Sequence, residues 1–118
     1  MANDISITNT VTIRHATTIY MQTYNIISGT YSTGGIPINP QNIPYLYGAF
    51  VDNLTGSLNI NGIEIAQAKV SKVDQQNNIV YVQLFYYTTD ITANSQTLTE
   101  IANGTDISGV VLTLGFLQ

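Results

Sequence analysis

Alternation of apolar and polar residues with a period of two constrains this chain more than any other feature. Ile5, Ile7, Val11 and Ile13 fall on one face of an extended segment, and Ser6, Thr8, Thr10, Thr12 and Arg14 on the other, with only Asn9 out of pattern. Successive side chains of a strand point to opposite sides, so this is the signature of a half-buried β-strand. Thr17 to Ile27 repeat the theme, with Ile19, Met21 and Thr23 on one face and Tyr20, Tyr24 and Ile26 on the other. Near the C-terminus, Val110, Leu112, Leu114 and Phe116 alternate cleanly.

The middle of the chain reads the same way. Leu46 to Asp52 predicts a short strand, with a turn over Asp52 to Gly56 and a further strand over Ser57 to Ile60. Asn61-Gly62 is a strong hairpin signal, because both residues tolerate positive φ. The return strand, Ile63 to Val73, slips phase near Ala66, which predicts a bulge there or a strand bending from one sheet into another. Lys69 and Lys72 late in this strand are suited to protecting a sheet edge. Asp74 to Asn78 predicts a polar hairpin loop. Ile79 to Thr89 is the strongest strand: Val80, Val82 and Leu84 line one face and Ile79, Tyr81, Phe85 and Tyr87 the other. With both faces apolar, it is central, or its second face is an interface. Residues 90–106 read as polar connection, in which Thr97 and Glu100 have capping-box spacing and Gly104 could end a helix. The expected fold is all-β. It is a single domain, 1–118, a two-sheet, jelly-roll-like sandwich of about seven or eight strands, with at most one short helix near 97–103.

Residues 28–45 break the pattern. Gly29, Gly34 and Gly35 favour turns, and Pro37, Pro40 and Pro44 favour extended, unpaired backbone. Irregular segments of this length are uncommon in compact domains and are often functional. Ile36, Ile38 and Ile43 predict that the loop lies on something, and an arm onto a neighbouring subunit is the expectation.

Charge is scarce. Charged residues make up 8% of the chain, against about 25% in an ordinary soluble domain. Thr, Asn, Gln and Ser fill the gap with 43 of 118 residues. A surface of this kind suits burial against neighbouring subunits, where charges are costly. It also suits acid, because few carboxylates are present to be neutralised near pH ~4. Only Arg14, Lys69 and Lys72 are basic. No basic patch for nucleic acid is expected. No apolar run of 18 residues or more is present, so no membrane insertion by a helix is expected. The opening MANDISIT lacks the basic and apolar regions of a signal peptide.

No constellation points to a reaction, and the chain is expected not to be an enzyme. His15 is the single histidine and there is no cysteine, so neither a metal site nor a cofactor is expected. The seven acids are dispersed, mostly at predicted turns. Oxygen ligands cluster in the Asp74–Asn78 loop, but without the spacing of a calcium loop. Asn53-Leu54-Thr55 and Asn103-Gly104-Thr105 are glycosylation tripeptides of a kind that arises readily in an Asn- and Thr-rich chain. Eight tyrosines remain, and tyrosine suits interfaces or sugar stacking.

A short, Met-initiated, cysteine-free β-chain rich in Thr, Asn, Ile and Tyr resembles the small virion proteins of tailed phages and archaeal viruses: capsid, decoration, turret or tail subunits. The resemblance is compositional and rests on no motif. It implies a virion structural subunit, acid-stable and working by protein–protein assembly with copies of itself and with other capsid proteins. The alternative is a carbohydrate-binding or adhesion module of an extracellular surface, with a glycan as partner. The candidate interaction surface comprises Tyr31, Ile36, Ile38, Tyr45, Tyr47, Tyr81, Phe85 and Tyr87.

Overall fold

The computed structural model describes residues 4–14, 18–41, 43, 45–60 and 62–117, and every regular element among them is a strand. In chain order these are β1 (Asp4–Arg14), β2 (Thr18–Ser28), β3 (Ile36–Ile38), β4 (Gly48–Gly56), β5 (Asn59–Ile60), β6 (Ile63–Glu64), β7 (Gln67–Asp74), β8 (Ile79–Asp90), β9 (Ser95–Glu100) and β10 (Val110–Leu117). One sheet has the order β1-β2-β10-β4. A second is centred on β8, with β7 along one side. Along the other side β3 and β9 follow one another. Val82 pairs with both Ile36 and Val70, and Phe85 with both Gln67 and Glu100. β5 and β6 form a small separate hairpin.

The alternation dictates what is buried. On β10, Val110, Leu112, Leu114 and Phe116 are fully buried; on β8, Val80, Val82 and Leu84 are too. Gln22, Tyr24 and Ile26 point inward from β2, and the Tyr24 ring meets Phe116 edge-on. Both sheets thus supply one continuous apolar core, an arrangement compatible with a β-sandwich. Each such side chain contributes roughly 1.5–3 kcal/mol through the water it leaves. β4 and β7, an edge of each sheet, come close together.

Several expectations are corrected. Residues 97–103 are not helical: Ser95–Glu100 is β9, paired in unbroken register with Phe85–Asp90. β-Branched Thr97 and Thr99 favour the strand, and Glu100 is engaged by Tyr31 and Gly34 instead of capping a helix. Asp52–Gly56 is not a turn but the second half of β4, held against β10 past a bulge between Val51 and Asn53. The pairing of the run Ile5–Ile13 with β2 is interrupted by a register shift between Ile7 and Asn9: Ile5 and Ile7 pair with Ile26 and Tyr24, and Val11 and Ile13 with Met21 and Ile19. The phase slip at Ala66 is where the chain leaves the β5–β6 hairpin for β7 in the second sheet.

The long loop folds onto its own protein. Tyr31, Ile36, Ile38, Ile43 and Leu46 are all buried. Gln22 donates its amide N–H to the Gln41 carbonyl (2.7 Å) and accepts from the Tyr24 hydroxyl, which fastens the loop across the inner face of β2. Three members of the expected interaction surface, Tyr31, Ile36 and Ile38, therefore belong to the core and offer no contact to a partner. Pro37 fits β3 because it stands opposite Tyr81, whose carbonyl faces Ser71 on the other side of β8, so no ladder N–H is needed there.

Candidate functional site: a β-ribbon and the cleft at its base

β8 outruns the rest of its sheet. β7 accompanies it only to Phe85, and beyond that point β8 and β9 continue alone as a two-stranded ribbon closed by a turn at Ile91–Asn94. Asn94 adopts positive φ (52°) in that turn. Residues 87–89 and 91–98 are exposed on both faces of the ribbon. Ile91 at the tip is 89% exposed, and Tyr87 and Leu98, directly opposite one another, are exposed as well. Two strands alone are marginal in water, so something must hold the ribbon at its root.

That root is a clamp built by the loop after β2. The Tyr31 hydroxyl donates to the Glu100 carboxylate (2.5 Å) and accepts from the Leu84 N–H (3.3 Å). Gly34 N–H donates to the same carboxylate oxygen (2.8 Å), and Thr33 N–H to the Asn103 side chain (3.1 Å). One buried ring thus joins the start of the ribbon on β8 to its end on β9. Burial, reinforced by the bond to Glu100, pushes the Tyr31 phenol well above its usual range. The Tyr31 hydrogen bond, assisted by Gly34, draws Glu100 below the usual carboxylate range against the opposing effect of burial. Farther out, the Thr88 hydroxyl bonds the Thr97 carbonyl (3.3 Å) and meets the Thr99 hydroxyl (3.2 Å).

A cleft of 770 Å³ separates the ribbon from the β5–β6 hairpin. Tyr86, Tyr87 and Gln96 form the ribbon wall, and Ile63, Glu64 and Ile65 the facing one. Among the described lining residues Glu64 is the one acidic or basic side chain.

The remaining predicted surface residues are scattered. Tyr45 and Tyr47 are exposed beside Gln75, next to the β7–β8 turn and at the opposite end of β8 from the ribbon. Tyr81 and Phe85 are half-buried on the outer face of the second sheet. Lys72 lies over the Tyr81 ring (5.6 Å) and Lys69 over Phe85 (5.9 Å). The second apolar face of β8 is thus partly covered by lysines from its neighbour. Tyr87 alone of the predicted set lies in the ribbon, and sequence reasoning missed Ile91 and Leu98. Among the described residues no group of three or more His, Cys, Asp or Glu side chains gathers as a metal site. His15 lies outside the described residues. In the Asp74–Asn78 loop the Asp74 carboxylate accepts from the Asn77 backbone (3.2 Å) and amide (2.9 Å), which holds its pKa down.

The chain matches no protein-family model, no characterised protein and no solved structure.

Proposed function

We propose that the protein is a structural subunit of a virion, assembling with copies of itself and with neighbouring surface proteins. The observation that carries this reading is the ribbon: exposed on both faces, tipped with Ile91 and edged with Tyr87 and Leu98. A monomer gains nothing from holding such apolar groups in water, whereas a neighbour that covers them gains their burial. The scarcity of charge fits the same role, since uncharged polar surface is cheaper to bury than ionised surface.

Strand order supports a jelly-roll-like reading of the fold. β2-β10-β4 in one sheet and β3-β8-β7 in the other correspond to three strands of each sheet of a jelly roll, with the chain crossing between sheets at β2→β3, β3→β4 and β4→β7. The strand pair that in a jelly roll lies between the fourth and fifth of these in chain order is replaced by the direct β7–β8 hairpin. Jelly rolls serve both capsids and lectins, so the architecture by itself does not choose between them. The test is mass spectrometry of purified particles together with the solution mass of the isolated protein. Recovery of the chain in stoichiometric amounts from particles is expected; a protein found only free and strictly monomeric contradicts the proposal.

A further inference from the structure

The ribbon has a property that its exposed side chains do not reveal. In an antiparallel strand the N–H and C=O of one residue point to the same side, and successive residues alternate. Phe85 directs its carbonyl toward the β7 side, where Ala66 donates to it (2.8 Å), and Tyr81 does likewise toward Ser71 (3.3 Å). Leu84 points the other way, receiving Ile101 N–H (3.0 Å) on its carbonyl. The alternation therefore aims the backbone groups of Tyr87 and Thr89 into the side where β7 has ended and the cleft begins. Among the described residues no strand pairs with them there.

Elsewhere the described edges are blunted. β1, β4 and β7 each carry a register shift, β7 adds Lys69 and Lys72, and β3 is three residues long with Pro37 at its centre. These are the devices by which sheets avoid edge-to-edge association. The ribbon has none: its register from Phe85 to Asp90 is unbroken, it contains no Pro or Lys, and Asp90 is the single charged residue between Phe85 and Glu100.

We propose that this edge of β8 pairs antiparallel with the same edge of a second copy, about a two-fold axis passing between the two Thr88 residues. Tyr87 and Thr89 of one copy then exchange N–H···O=C bonds with Thr89 and Tyr87 of the other, and two ribbons become one four-stranded sheet. The segment suits its own copy: no like charges meet around Thr88, and Thr opposite Thr is a favourable cross-strand pair. The contact is isologous and closes on itself. This inference rests on the assembly reading above and specifies its mode.

The experiment combines sedimentation velocity over a concentration series with amide hydrogen exchange on the full chain. A dimer or higher oligomer is expected, with Tyr87 and Thr89 amides protected in proportion to assembly. Thr89→Pro removes the outward N–H while sparing the β8–β9 ladder, and weakens association roughly tenfold or more. Thr88→Lys, which opposes lysine with lysine across the axis, does the same and serves if the proline variant fails to fold. An oligomer of unchanged affinity in both folded variants, with fast exchange at Tyr87 and Thr89, overturns the pairing but not the assembly reading. Protection of those amides that is independent of concentration means the chain covers its own edge, and also overturns the pairing. A strict monomer overturns both.

Discussion

Replacing Tyr31 with Phe removes one oxygen atom and tests the clamp at the root of the ribbon. The ring stays, so the core keeps its volume. The Leu84 N–H loses an acceptor inside the protein, and Glu100 loses a charge-assisted donor. A buried donor left unpaired costs about 1–3 kcal/mol, and a bond to a partly exposed carboxylate contributes less than its buried equivalent. Freed of the need to desolvate a hydroxyl, the variant recovers part of this, so the net loss is about 2 kcal/mol. For 118 residues, an unfolding entropy of about 2.1 cal/mol/K per residue turns that into a Tm lower by about 8 °C.

The same substitution carries a pH signature. Because Glu100 titrates below its ordinary value in the fold, its contribution is complete above pH ~4.3 and is lost as pH falls through the lower folded pKa. Tyr31→Phe removes the leading cause of that depression. The stability gap between wild type and variant is therefore widest at neutral pH and narrows in acid, leaving the part due to Leu84. Urea denaturation at pH 7 and at pH 2 measures both gaps. A gap below about 0.5 kcal/mol at pH 7, or one that does not change with pH, refutes the clamp.

Further outcomes follow from the glycines and the lysines. Gly56 (φ +82°) and Gly62 (φ +79°) both hold left-handed backbone, but a Cβ at Gly56 runs into the Gly109 carbonyl and Val111, whereas at Gly62 it meets open space. Gly62→Ala should cost about 1 kcal/mol and Gly56→Ala at least about 3 kcal/mol in chemical denaturation. Gly115 lies beneath the Phe50 ring on the outer face of the first sheet, so Gly115→Ala should destabilise by about 1–3 kcal/mol, and Phe50→Ala should relieve most of that in a double-mutant cycle. Lys69→Met and Lys72→Met should change stability by less than about 1 kcal/mol each while raising self-association, because they remove the charges that guard the β7 edge and leave apolar side chains over Phe85 and Tyr81.

The parts of the fold that were legible in the sequence are those whose burial is one-sided. β2, β8 and β10 alternate because one face meets the core: the alternation named both faces of β2 and β8, and of these Tyr24 and Ile26, and Val80, Val82 and Leu84, are the ones buried, together with Val110, Leu112, Leu114 and Phe116 of β10. The β5–β6 hairpin was legible for a different reason, the turn chemistry of Asn61-Gly62. β9 was not legible: exposed on both faces, it has no apolar period, and its Thr, Ser and Gln look like loop. The burial of Tyr31, Ile36 and Ile38 was hidden as well, since an irregular segment acquires its inside only when the sheets beneath it are assembled. The ribbon edge is further removed still from the sequence, because an open edge is a relation between where β7 stops and where β8 goes on.

The most direct test of the account is the mass of the protein in solution, measured by sedimentation from low to high concentration at neutral pH and again in acid. A discrete oligomer is expected to grow in with concentration and to persist in acid, because the contact around Thr88 uses backbone and uncharged side chains. A protein that remains monomeric across the whole series at both pH values contradicts it.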